Sequence, residues 1–427
     1  MVYFEFMLYS LCREGKRGSV FGSLFSSLLL VVLILAIGSC GNVYSELADL
    51  NKREVDLFVS SFGTTGVSAD VLSPEGTFRE DFALEVNGFI RTVQRLGNGS
   101  LFIGGDFTQV NGVSVNGAAS INRETGALEP GHRLDLILGG ANPGYILGSA
   151  LLEDGGLVIV GNWDSVNGIA ETPDIARLNP DGSVDTSFVF GAFDTVGTFP
   201  NQEVRSVIYA GGRVYVSGFF NAVGTVSGSK IEADKFFSFR PEDSLGSINP
   251  PAVPDGPTDV ADSFVPTPDG GVIALGNFEV TFESAGAIVT LQNGVLLRGE
   301  EPTAELVMDL PNVGNDFWAG EWVPGVGLLV TGPISVGGDA VEPWLVWYDT
   351  NLAPTFEMPL RLDGVGIPFF IANDYLLVHG NFTTSSDIDQ TAGPGALLRM
   401  SAGFQIDPTY APPLEAGSTA VLVHPLF

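Results

Sequence analysis

The sequence predicts an all-β fold assembled from one recurring strand-rich unit, and three observations predict it. An apolar strand running into Gly-x-aromatic recurs six times at near-constant spacing, with Ile334 in the aromatic place in the fifth copy. Each copy is preceded by a second strand signal across a Gly, Asp or Asn turn. The composition, with 55 Gly and 26 Pro in 427 residues, favours short strands and tight turns over long helices.

The copies are LFIGGDF at 101–107, LVIVGNW at 157–163, VYVSGFF at 214–220, VIALGNF at 272–278, LLVTGPI at 328–334 and LLVHGNF at 376–382. Their glycines, Gly105, Gly161, Gly218, Gly276, Gly332 and Gly380, are 56, 57, 58, 56 and 48 residues apart. The segments TVQRLGNGS, ALLEDGG, VIYAGGR, FVPTPDGG and FIAND supply the strand and turn ahead of the Gly-x-aromatic strand. Turns of this kind need residues that tolerate positive φ. A polar loop follows, then a third strand and turn: ASINRETGAL, IARLNPDGSVDTSF, FFSFRPEDSLGS, IVTLQNGVL, LVWYDTNLAPTF and LLRMSAGFQIDPTY. A fourth, edge-like strand completes the unit.

Four short antiparallel strands in about 56 residues, repeated, describe the blades of a β-propeller, in which each blade covers its neighbour and closure limits exposed edges. Residues 55–82 match the second to fourth strands of a blade, and AGSTAVLVHPLF at 416–427 matches a first strand alone. One blade shared by both termini would give seven blades. A six-bladed ring with the N-terminal piece packed outside is the alternative.

Ahead of the repeats, residues 1–39 have the pattern of an export signal. Arg13, Lys16 and Arg17 precede the unbroken apolar run Leu28–Ile37, which is too short for a comfortable membrane span. Ile37-Gly38-Ser39-Cys40 resembles the lipobox of bacterial lipoproteins. That resemblance implies lipidation at Cys40 by diacylglycerol and acyl chains such as palmitate, and Gly41 in place of Asp implies sorting to the outer membrane. The alternative is an uncleaved anchor over residues 21–38, and translation could start at Met1 or Met7. Residues 40–53 would be a lipidated tether and 54–427 the propeller.

The closing phrases resemble the delta-60 repeat, a β-propeller module of mostly bacterial secreted and surface proteins. The match is fullest from Glu153 to Phe188, EDGGLVIVGNWDSVNG followed by IARLNPDGSVDTSF, and weakens in the fifth and sixth copies. The resemblance implies a propeller in an extracytoplasmic setting and brings no agreed reaction.

Charge and residue inventory narrow the function. Fifty acidic against 19 basic residues give a net charge of −31, which opposes binding of nucleic acid or anionic lipid headgroups. The two cysteines, Cys12 and Cys40, both precede the repeats, so no disulfide framework is expected there. His132, His379 and His424 fall in different repeats without metal-ligand spacing, and no cofactor or metal is expected. The oxygen-rich stretch Asn179, Asp181, Ser183, Asp185 fails as a calcium loop because Val184 stands where Gly is needed and Phe190 where Glu is needed. Phe107, Trp163, Phe220, Phe278 and Phe382, recurring at one position, are assigned to packing between blades. Asp106, Asn162, Asn277 and Asn381 beside them are assigned to turn caps, and Asp154 and Asp269 to hairpin turns.

What remains is a set of loop carboxylates, Asp164, Glu171, Asp174, Glu232, Asp234 and Asp387. The reading favours a lipid-anchored envelope or surface propeller that acts as a binding or scaffold module for a protein or glycan, held to the membrane through Cys40. The alternative is a propeller glycan hydrolase or lyase using those carboxylates.

Overall fold

The computed structural model describes residues 57–63, 66–72, 78–140, 142–170, 173–188, 193–194, 203–224, 230–232, 235–242, 260–284, 287–298, 303–307, 319–334, 342–352, 354–355, 366–372, 375–380, 395–399, 405–406 and 419–425. All belong to the unit Glu54–Phe427. The export segment 1–39, the tether 40–53, Cys12 and Cys40 lie outside the described residues.

Every described repeat is an antiparallel meander. Ile90–Arg95, Leu101–Gly105, Gly117–Ile121 and Leu128–Leu138 pair in sequence order. Tyr145–Leu151, Leu157–Asn162 and Ile175–Leu178 repeat the pattern, as do Glu203–Ala210, Arg213–Phe219 and Phe236–Phe239. Ser263–Pro266, Val272–Ser284, Ala287–Arg298 and Thr303–Val307 form the next sheet. Ala319–Val323, Gly327–Ile334, Glu342–Tyr348 and Pro354–Thr355 form another. Gly366–Ala372, Tyr375–Gly380, Gly395–Arg399 and Gln405–Ile406 form the last. Thr419–Pro425 pairs with Leu57–Gly63, which pairs with Gly66–Leu72, so one sheet joins segments from both ends of the unit. No helix occurs among the described residues, and none there is long and apolar enough to cross a membrane.

The second strand of each repeat explains the packing. Leu101–Gly105 and Leu157–Asn162 are buried at every position. Side chains of a strand alternate between its faces, so a strand covered on both sides is continuously apolar. Leu157 and Ile159 pack with Ile146 of their own sheet and with Phe102 and Leu136 of the preceding one. Val158 and Val160 pack with Val204, Val214, Val216 and Phe237 of the following one. Phe58 and Val71 of the sheet that joins both ends share a core with Ile90, Val93, Leu101 and Phe107.

First strands touch in succession: Ile90–Arg95 with Tyr145–Leu151, then Glu203–Ala210, Ser263–Pro266, Ala319–Val323 and Gly366–Ala372. Thr419–Pro425 touches both Tyr375–Gly380 and Ile90–Arg95, so the circuit closes. Radially ordered meanders stacked face to face in a closed circuit are a β-propeller.

The repeating glycine has a steric cause. In three repeats the first strand shifts register, between Ile90 and Thr92, Ile146 and Gly148, and Val204 and Ser206. A Cβ on Gly105, Gly161 or Gly218 would lie 1.9 Å from the carbonyl oxygen of Phe89, 2.1 Å from that of Tyr145 and 2.4 Å from that of Glu203. No side chain fits there.

The fourth repeat departs from its expected alignment. Val272–Leu275 pairs with Gly294–Leu297, so VLL and not IVTL is the third strand, and the QNG expected to turn lies inside a strand. Glu279–Ser284 pairs with Ala287–Gln292 as an added hairpin arm. A register shift between Leu275 and Glu279 separates the arm from the blade.

Candidate functional site

Second strands end, and first and third strands begin, at the same end of the fold. Residues that connect second to third strands therefore gather around the start of the inner strands. Two of these connections are hairpins and not irregular loops. Gln109–Val110 pairs with Val113–Ser114 across Asn111 and Gly112, at φ 49° and 74°. Val166 bridges Ile169 across Asn167 and Gly168, at φ 52° and 78°. Two central residues at positive φ match the twist of paired strands.

Each asparagine also clamps its hairpin to the segment leading in from the preceding sheet. Asn111 Oδ1 accepts from Glu85 N at 2.8 Å, and Asn111 N donates to Glu85 O at 2.8 Å. Asn167 Oδ1 accepts from Asp135 N at 2.7 Å, and Asn167 N donates to Asp135 O at 2.9 Å. An arrangement used identically in two successive repeats is scaffold.

A second device follows each hairpin. Gly117 N donates to Phe107 O, Asp174 N to Trp163 O, and Lys235 N to Phe220 O. These three residues occupy one slot with φ of 80°, 60° and 59°. Glycine is the unstrained occupant of such a conformation. In the second and third repeats the slot instead holds charged residues, Asp174 at 6 % and Lys235 at 9 % exposure.

Asp174 lies in the most developed polar cluster. Its Oδ1 accepts from Trp163 N at 3.1 Å, and no described group donates to its Oδ2. Burial pushes its carboxyl up to about 7. The Trp163 amide opposes that rise, and the charges of Asp164 and Glu203 add to it. Glu203, at the start of the next repeat's inner strand, accepts from Tyr145 Oη at 3.2 Å and from the Arg205 guanidinium. Burial raises the Tyr145 phenol above its ordinary value, with the Glu203 charge adding to the rise. Arg205 lies over the Phe219 ring at 4.6 Å. The preceding repeat carries a similar triad: Arg91 lies over the Phe89 ring at 5.1 Å and pairs with Asp106 at 3.1 Å. Aromatic faces, an amide, a phenol and carboxyl groups suit a hydroxyl-rich ligand.

Of the residues singled out from sequence, Phe107, Trp163 and Phe220 are buried at 0 %, 1 % and 0 % exposure, as assigned to packing. The side chain of Phe278 and all of Phe382 lie outside the described residues, as do Asn381 and the side chain of Asn277. Asp106 caps Phe89 N at 2.5 Å. Asn162 is buried beside the Tyr145 hydroxyl. Asp154 caps Gly156 N at 2.8 Å and binds Arg177. Asp269 accepts from Thr267 Oγ1 at 2.5 Å.

The stretch from Asn179 is a turn, with Asp181 accepting from Ser183 N at 2.9 Å and Asp185 from Ser187 N at 2.9 Å. No group of metal-ligating side chains occurs among the described residues. His132, His379 and His424 lie on strands of three different sheets.

Among the loop carboxylates, Asp164 accepts from Gly139 N at 2.7 Å and its charge reaches Asp174. Glu171, Asp234, Asp387 and the side chain of Glu232 lie outside the described residues. Tyr145 and Glu203 escaped the sequence reading because they come from different repeats. Their only signal was positional: each stands one residue before the strand residue that faces a repeat glycine.

Residues 152–188 match a family model described as a domain of unknown function (DUF5122) beta-propeller. No curated protein matches the chain. A polysaccharide lyase, the PL25 ulvan lyase bound to -[GlcA(1-4)Rha3S]-, is similar at 13 % identity over 80 % of this chain and 89 % of that one, with a TM-score of 0.44. Apo AztD from Citrobacter koseri is similar at 9 % identity over 87 % of this chain and 98 % of that one, with a TM-score of 0.39.

Proposed function

We propose that this chain is a lipid-anchored β-propeller of the bacterial cell envelope that binds a glycan at the end of the ring where the inner strands begin. The convergence of Tyr145, Asn162, Asp174, Glu203 and Arg205 from two adjacent repeats supports it. Such a site offers both donors and acceptors, which a polyhydroxylated ligand needs. The ring is proposed to hold seven blades, a reading supported by the pairing of Thr419–Pro425 with Leu57–Gly63.

Binding of a panel of purified oligosaccharides to the full chain tests the ligand class. Tyr145→Phe and Glu203→Gln should each weaken the interaction about tenfold, the worth of one buried hydrogen bond to a charged group. Binding unaffected by both changes would move the site elsewhere. Turnover of a panel member would replace this reading by a glycan hydrolase or lyase. Anchoring is tested separately: Cys40→Ala should abolish fatty-acid labelling and release the protein from membranes, and persistent labelling would remove Cys40 from the proposal.

A further inference from the structure

The slot shared by Gly117, Asp174 and Lys235 separates a structural requirement from a functional one. The backbone there requires a left-handed conformation, and glycine meets that requirement in the first repeat. A non-glycine residue in this region is strained, and such strain collects at functional sites. Asp174 carries the strain with its side chain buried, one carboxyl oxygen fixed by Trp163 N and the other without a donor among the described residues.

We propose that Asp174 is the specificity-determining contact of this site, presenting Oδ2 as a hydroxyl donor to an acceptor oxygen of a neutral glycan. This rests on the glycan-binding reading above and adds the ligand's charge class and the protonation state that binds it.

Three observations carry it. First, Asp174 is buried in its left-handed slot, and the charges of Asp164, from the connection that follows Leu157–Asn162, and Glu203, from the next inner strand, both act on it. Tyr145 and Arg205 both donate to Glu203. A carboxylate at Asp174 would be desolvated and repelled by both acids, whereas a carboxylic acid would not. A protonated carboxyl has an O–H to donate, and its Oδ1 is already used as an acceptor.

Second, Arg205 of the cluster and Arg91 of the corresponding triad in the preceding repeat are committed within the chain, Arg205 to Glu203 and the face of Phe219, Arg91 to Asp106 and the face of Phe89. An anionic sugar would have to displace Asp106 or Glu203 to reach them. Third, a net charge of −31 disfavours approach of an acidic polysaccharide. Together these select a ligand without charge.

The test uses the full chain and four soluble probes: cellohexaose, laminarihexaose and chitohexaose as neutral glycans, and hexagalacturonate as an anionic one. Affinities are measured by titration calorimetry at about pH 5.5 and about pH 8.5, alongside thermal midpoints. The wild type should bind a neutral probe about tenfold tighter at the lower pH, since the donor form is lost as pH rises through the carboxyl's value. Asp174→Asn keeps an N–H donor at both pH values and should bind without that dependence. Asp174→Gly should lose about tenfold in affinity at the lower pH while melting no lower than the wild type, because relief of the left-handed slot offsets loss of the acceptor for Trp163 N.

An Asp174→Gly protein that binds like the wild type would overturn the assignment, as would one that melts lower and binds less. Preference for hexagalacturonate would overturn the neutral class alone. A wild type that binds none of the probes at either pH would overturn the glycan reading and this assignment with it.

Discussion

Asp174 links the acidity of one carboxyl to the stability of the fold. Burial in the fold pushes that carboxyl up to about 7, well above the ordinary carboxylate range. A group raised by folding contributes stability that is complete below its unfolded value and is lost as pH rises through the folded one. Unfolding free energy should therefore fall between about pH 4 and about pH 7, by on the order of a few kcal/mol from this group, and the thermal midpoint should fall with it. Asp174→Asn should flatten that portion of the curve; an unchanged slope in the variant would place the titrating proton elsewhere. Nothing in the sequence distinguished this residue from its neighbours. Asp174 stands in a polar connection beside Glu171 and Asp164, and its slot is visible only once its backbone is aligned with Gly117. Substituting glycine is what hid it.

At the scale of elements, the repeat glycine and the hairpin asparagine make opposite predictions about tolerance. Gly161→Ala forces a Cβ to 2.1 Å from the Tyr145 carbonyl oxygen and 2.8 Å from Trp163 Cζ3, so it should cost about 3 kcal/mol or more. Gly97→Ala, with nothing within 4 Å, should be nearly neutral, and urea titration of the pair checks both. Asn167→Ala removes the acceptor for Asp135 N and places alanine at φ 52°, whereas Asn167→Gly keeps the turn and loses only the clamp. The alanine variant should lose about 2 kcal/mol and the glycine variant about 1 kcal/mol; equal losses would mean that the turn conformation contributes little. The strands and their order were legible because burial on both faces makes the second strand a continuous apolar run closing on a glycine. The third strand of the fourth repeat was not. The arm Glu279–Ser284 and Ala287–Gln292 inserts β-forming residues with the same alternation as a true blade strand, so IVTL and VLL compete for one register. Only pairing across the sheet decides between them. Likewise the clusters around Tyr145 and Glu203 depend on residues from neighbouring repeats meeting in space, which no motif within one repeat records.

For the whole molecule, closure through Thr419–Pro425 joins the two ends of the unit in one sheet. Removing residues 419–427 takes away the strand that pairs with Leu57–Gly63 and touches Ile90–Arg95, and exposed strand edges invite association. The truncated protein should lose the single cooperative unfolding transition of the parent and elute as larger species in size-exclusion chromatography. A truncated chain that stays monomeric and melts as sharply as the parent would show that the sheets are stable without the latch. The same latch sets a clock. Because Thr419–Pro425 follows every other described strand in the chain, the flanks at Leu57–Gly63 and Ile90–Arg95 stay open until it docks. Its arrival turns an open stack of sheets into a ring.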